Sequence, residues 1–200
     1  MVDETKRINF AQADEIEFER QKTFAKGIDD LFQADLVDMS GISSYNEGYR
    51  YLLTCIDVFS KYPWAIPLKS KSVEAVKQVF EKIFMERKCN MLQTDKGSEF
   101  LNSTVQNLFK QNDIHHYTSE NEDIKAAVAE RFNITLKSKM WKYFTNANTR
   151  KFINVLGDLI DSYNNSYHRS INMAANEVRW ESAAEIAKRL YPEKRKPVYR

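Results

Sequence analysis

Apolar residues between Leu31 and Leu68 come in short runs separated by turn formers, whereas beyond Ser70 they recur every three or four positions. The first regime predicts strands and the second helices. Leu31–Met39 reads as a strand, and Ser43-Ser44-Tyr45-Asn46-Glu47-Gly48 as a turn cluster. Tyr51–Phe59 is an almost unbroken apolar run in which Asp57 is the only charge, the pattern of a central strand covered on both faces. Trp64–Leu68, flanked by Pro63 and Pro67, suits an edge strand, because proline cannot donate to a ladder. Three strands joined by short turns predict an antiparallel meander.

The helical regime opens with Ser70–Lys88, where Val73, Val76, Val79/Phe80 and Ile83/Phe84 share a face. Cys89–Thr94 is a short strand, Glu99–Gln111 a helix and Ile114–Tyr117 another short strand. Ser119–Lys125 is a polar loop. Ala126–Tyr143 carries a stripe of Val128, Phe132, Leu136 and Met140, and helices are expected again over Thr149–Tyr167 and Ala174–Leu190, before Pro192. This order predicts an α/β fold: a five-stranded mixed sheet with helices on both faces and extra C-terminal helices. Residues 1–28 read as a leader or the end of an upstream region, 29–178 as the core, and 179–200 as a helix end with a basic tail.

At 200 residues and 42% hydrophobic content the chain suits one globular domain. No stretch approaches the ~20 apolar residues that cross a bilayer, and the charged first twenty residues do not resemble a secretory leader, so a soluble intracellular protein is expected. A net charge of +2 argues neither for nor against nucleic acid; the basic stretches Arg131–Lys142 and Glu193–Arg200 carry more information than the total. Cys55 and Cys89 read as buried free thiols. Together with His115, His116 and His168 they lack the paired spacing of a zinc module.

Carboxylates are the remaining candidate chemistry. Asp35 lies within a strand, Asp95 directly follows one, and Glu130 stands near the start of a helix. An ionised carboxylate among apolar neighbours costs several kcal/mol unless it is paired. Oxygen-preferring Mg²⁺ or Mn²⁺ relieves that cost, and three carboxylates can hold two such ions ~4 Å apart for displacement at phosphorus. By spacing alone the three acids fit equally well as a bulge residue, a turn former and a solvated helix residue.

Their surroundings resemble the retroviral-type integrase catalytic core, of the RNase H-like superfamily. Gln33-Ala34-Asp35 resembles Trp-Gln-x-Asp, with Phe32 in place of Trp, and LLTCIDVFSKY over Leu52–Tyr62 resembles that family's second strand and turn. Thr94-Asp95-Lys96-Gly97-Ser98-Glu99-Phe100 resembles T-D-x-G-x-E-F, and Glu130–Lys137 resembles E-x-x-N-x-x-L-K. Tyr163-Asn164 with His168 resembles the late helix and its exit. The match is collinear over about residues 30–178. Its wording (ADLVDM, TDKGSEF, AERFN) is most similar to integrases of Polinton/Maverick DNA transposons and to cellular genes derived from such elements.

The resemblance implies a DDE triad of Asp35, Asp95 and Glu130 that holds two Mg²⁺ (or Mn²⁺). It implies 3′-end cleavage and strand transfer on double-stranded DNA, at element ends and at a target, by a homo-oligomer, in the nucleus if the host is eukaryotic. Lys96, Lys125, Asn133 and Lys137 are the expected DNA contacts. Asp38, Asp57 and His168 are expected to serve structure. Two departures stand out. The 34 residues between Asp95 and Glu130 are one fewer than usual, a shortfall that falls in the 119–125 loop, and the family's flanking zinc and DNA-binding modules are absent. A domesticated nucleic-acid-binding protein that no longer cuts, and an RNase H-like nuclease, are the alternatives.

Overall fold

The computed structural model describes residues 23–118 and 126–192. Five strands form one sheet: β1 (Leu31–Asp38), β2 (Tyr51–Asp57), β3 (Pro63–Leu68), β4 (Met91–Thr94) and β5 (His115–Thr118), in the order β3-β2-β1-β4-β5. The first three pair antiparallel as the expected meander, with β3 at the edge, while β4 and β5 add parallel to β1. This is the mixed α/β sheet that the pattern predicted.

Period-two alternation sorts the strand residues onto two layers. Phe32, Ala34, Leu53 and Cys55 face a core shared with α1 (Val73–Glu86), α2 (Ser98–Leu101) and α3 (Ser103–Gln111). Val37, Leu52 and Ile56 face α4 (Ala127–Ala147) and α5 (Leu156–Asn164) through Phe132, Leu136, Met140 and Phe144. Gln33 and Asp35 share the parity of Val37, so both belong to the α4 layer. A third cluster closes the start of β1, where Ala25, Leu31, Val58 and Phe59 meet Ile171, Val178 and Ile186 of the C-terminal segment with α6 (Ala183–Leu190). Among the described residues no helix is long and apolar enough to cross a membrane.

Three helices differ from their expected bounds. The helix expected over Glu99–Gln111 breaks at Asn102, whose side chain accepts from Thr104 N at 2.9 Å and starts α3. The helix expected over Thr149–Tyr167 is only α5. Asn148 ends α4 in a left-handed conformation (φ 45°), and Phe152 and Ile153 donate their N–H groups to the side chain of Asn46 rather than to a helical turn. Asn46 is fully buried and also donates to Ile42 O and Arg150 O, so one amide ties the β1–β2 connection to the α4–α5 connection. Its expected turn cluster is a 3₁₀ turn over Ser40–Tyr45 followed by that clamp. The helix expected over Ala174–Leu190 forms only as α6. Two 3₁₀ turns precede it, because Glu177 accepts from Ala174 N and the Arg179 guanidinium bonds Asn176 O and Val178 O. On α4, Val128 is only partly buried, and Ala129 takes its place in the core.

Asp57, the lone charge of the β2 run, is structural. Its carboxylate is fully buried and accepts from Arg87 Nη2 at 2.8 Å, Ser60 Oγ at 2.6 Å and Phe59 N at 3.0 Å. Arg87 also pairs with Asp29 and lies over the rings of Tyr62 and Trp64. Both cysteines are buried free thiols whose pKa values burial raises. His168 Nε2 donates to Tyr163 O at 3.2 Å and lies against the Tyr163 ring, a packing role.

Candidate active site

Asp35 and Asp95 are brought together by strand register. Residues 31, 32 and 33 of β1 pair in parallel with 91, 92 and 93 of β4, an offset that assigns Asp35 and Asp95 to equivalent positions just past the paired ladder. Paired parallel strands run about 4.8 Å apart, and Asp35 continues the parity of Gln33, facing the α4 layer. Asp35 sits in mid-strand opposite Thr54 and is half-buried; Asp95 lies beyond the end of β4 and is exposed.

Glu130 arrives on α4, and a polar clamp fixes where α4 begins. Ala126 makes no side-chain cap bond at that terminus. Gln33 Oε1 instead accepts from Val128 N at 2.9 Å and Ala129 N at 3.1 Å, while Gln33 Nε2 donates to Gln93 Oε1 at 2.9 Å. One fully buried amide thus joins β1, β4 and the first turn of α4, satisfying two of the donors every helix start leaves over. One turn further on, Asn133 Nδ2 donates to Asp35 Oδ2 at 2.8 Å. Glu130 and Asn133 are three apart, so they occupy the same side of the helix, with Asn133 buried and Glu130 exposed.

The electrostatics record the convergence. Burial raises the Asp35 pKa most. Hydrogen bonds from Leu36 N and Asn133 act against it, and the negative charges of Asp95 and Glu130 raise it further. Asp35 therefore lies within electrostatic reach of both other acids. Asn133 Oδ1 is buried without a hydrogen-bond partner among the described residues. At Asp95, Oδ1 accepts from Gly97 N at 3.0 Å. A Cβ at position 97 would stand 3.0 Å from that same oxygen and 2.9 Å from Glu99 Cδ, so the absent side chain leaves room for two carboxylates.

An all-oxygen donor set of this kind fits a hard divalent cation, which would also offset the repulsion felt by Asp35. The three acids are not gathered as a closed ligand sphere: no group of three His, Cys, Asp or Glu among the described residues is already tight enough to hold an ion.

The expected DNA contacts divide. Lys96 and Lys137 are exposed, Lys137 one turn past Asn133 on α4. Asn133 is buried and engaged with Asp35 rather than exposed as the lysines are. Lys125 and the basic tail from residue 193 lie outside the described residues. Gln33, Gln93 and Glu99 went unassigned in the sequence. The signal for Gln33 was a polar side chain in a strand interior, two residues before the acid. A second support runs beneath Asp95. Gln106 Nε2 bonds His116 Nδ1 at 2.8 Å, His116 Nε2 bonds Thr94 Oγ1 at 2.9 Å, and Thr94 Oγ1 donates to Asp95 O at 2.8 Å.

Residues 29–123 match the family model described as the integrase core domain. A transposon-derived protein of Caenorhabditis elegans is 35% identical over 135 residues, covering 66% of this chain and 47% of that protein. The chain therefore spans about half the length of that curated relative. Among solved structures, a chain of the simian T-cell lymphotropic virus intasome, solved in complex with the PP2A regulatory subunit B56 gamma, superposes with a TM-score of 0.65 at 19% identity, over 74% of this chain and 53% of its own. The HTLV-2 integrase catalytic core, solved with magnesium, gives 0.61 at 18% identity, over 75% and 95%. The BIV integrase catalytic core gives 0.61 at 18%, over 77% and 95%. The fold is that of the integrase catalytic core, an RNase H-like α/β sheet.

Proposed function

We propose that this chain is the catalytic core of a DNA-integrating polynucleotidyl transferase, with Asp35, Asp95 and Glu130 as its acidic triad. The observation that supports the reading is the β1–β4 register, which gives Asp35 and Asp95 equivalent positions just past its last pair, together with the Gln33 and Asn133 bonds that bring the Glu130 helix onto the same strand. The integrase core-domain match and the transposon-derived relative point the same way. The substrate is double-stranded DNA, cut at an element end and joined to a target, and the active unit is a multimer, as the relative solved as an intasome suggests. The acids would hold two Mg²⁺ or Mn²⁺, in line with the HTLV-2 core solved with magnesium.

Bound there, the cations would activate the attacking oxygen and offset charge on the leaving oxygen of an in-line displacement. The chain's own residues do the rest. Asn133 holds Asp35 Oδ2 in place, Leu36 N–H holds its Oδ1, and the Gly97 N–H fixes Asp95 Oδ1. Gln33 sets the height of Glu130 above them. Lys96 and Lys137 supply cations for the phosphate backbone, a sequence-independent attraction.

The test is cleavage and strand transfer on candidate terminal-repeat DNA with Mg²⁺ or Mn²⁺, beside Asp95→Asn. Loss of both activities in the variant is expected, and equal activity in the two proteins would end the reading. Cutting of RNA–DNA hybrids alone would point to the nuclease alternative. DNA binding without cleavage in either protein would point to a domesticated binder.

A further inference from the structure

Past Glu130, α4 carries no acid at all: Arg131, Lys137, Lys139 and Lys142 are its charges. Its outward side ends in an exposed aromatic patch. Trp141 is 54% exposed, and its ring meets that of Phe144 nearly at right angles (ring centroids 5.2 Å, 84°), so one neighbour steadies an indole that is half open to solvent. Tyr45, from the turn after β1, is 51% exposed, and the Arg150 guanidinium lies 5.5 Å from its ring centroid. Trp141 lines three adjoining grooves. The first, about 340 Å³, has Lys137, Met140 and Ile42 in its wall; the second has Lys137 and Lys142; the third has Tyr45 and Arg150. The one acid along them, Asp38, is turned to Ser40 N at 2.7 Å.

We infer that Trp141 and Tyr45, with Lys137, Lys142 and Arg150, form a stacking subsite for an unpaired nucleic-acid strand. Two half-exposed rings, Tyr45 with Arg150 over its ring and Trp141 with Lys137 and Lys142 along its grooves, match what single strands offer, a base face alternating with a phosphate. A duplex presents no free base face there, and an acidic peptide would use the cations but leave the rings unfilled. Trp141 stands eleven residues beyond Glu130, about 16 Å along the helix, so a strand unpaired a few nucleotides from the acids reaches it. The inference deepens the proposed function and rests on that reading for the direction of the strand.

Binding is measured in EDTA, so that it reports stacking independently of cleavage. In a Trp180→Phe background Trp141 is the exposed indole, Trp64 being buried. Titration with oligo-dT, or with duplex bearing a single-stranded overhang, is expected to quench its fluorescence saturably and less at high salt. Trp141→Leu is expected to weaken overhang binding by about 5- to 150-fold, the range for one stacked base, and blunt-duplex binding far less. Tyr45→Leu serves as a second variant and is expected to act in the same direction. Absence of quenching, or overhang affinity unchanged in both variants, would overturn the inference. So would a shift in oligomeric state on Trp141→Leu with nucleic-acid binding intact, which would make the patch a contact between copies.

Discussion

Gln33→Leu tests the clamp on which the site geometry depends. Leucine keeps the side-chain bulk but removes the acceptor for Val128 N and Ala129 N and the donor to Gln93 Oε1. A buried donor left without a partner costs about 1–3 kcal/mol. Ala129 is fully buried and Val128 partly so, and no other side chain among the described residues caps this end of α4. The two together give a loss of about 2–5 kcal/mol, a large part of the 5–15 kcal/mol that holds an ordinary domain together. Urea unfolding should show the midpoint falling with the slope unchanged. Hydrogen exchange should show faster opening at the first-turn amides of α4 than at β1 or β2. Because Glu130 lies in that turn, DNA cleavage should fall at least about tenfold even where the variant remains folded. A stability change under about 0.5 kcal/mol, with those amides still protected, would refute the idea that Gln33 seats the helix.

Two further substitutions probe the ground beneath Asp95. Gly97→Ala should leave stability within about 1 kcal/mol, since the flexible Glu99 end can give way. It should nonetheless lower cleavage, because the new Cβ meets Asp95 Oδ1 at 3.0 Å; unaltered activity would show that this oxygen need not stay where it is. His116 has its pKa lowered from 6.5, first by burial and then by the positive charge of His115, and His168 is lowered chiefly by burial. The unfolded chain therefore takes up these protons before the fold does, so stability present above about pH 6.5 is lost as pH falls toward the folded values. His116→Asn should flatten that acid-side decline, read by unfolding at a series of pH values; a slope identical to the parent would refute the assignment.

Much of the fold was legible because sheet and helix write different periods. The β2 run announced a strand covered on both faces, and Pro63 and Pro67 announced the edge. The misjudged helices share a physical cause: side chains that compete for backbone groups. Asn102, Glu177 and Arg179 each bond main-chain groups nearby, and Asn46 takes the N–H groups of Phe152 and Ile153 from over a hundred residues away. The first three are local and could have been weighed. The reach of Asn46 is tertiary, and periodicity carries no trace of it. At the site, the three acids stand out from the other carboxylates only through the resemblance of their neighbours. Asn133 was read as a DNA contact because helical phase shows which residues share a side, not which of them is buried. Gln33 stood in plain view inside its motif, but its role exists only once β1, β4 and α4 meet.

Calorimetric titration of Mn²⁺ into the parent chain and into Asp35→Asn, Asp95→Asn and Glu130→Gln probes the convergence of the three carboxylates without needing DNA. Divalent-ion binding by the parent, weakened at least about tenfold in each variant, is the predicted result. Glu130→Gln binding Mn²⁺ as tightly as the parent, while the two aspartate variants lose it, would mean that α4 does not bring its acid to the metal and would contradict the triad.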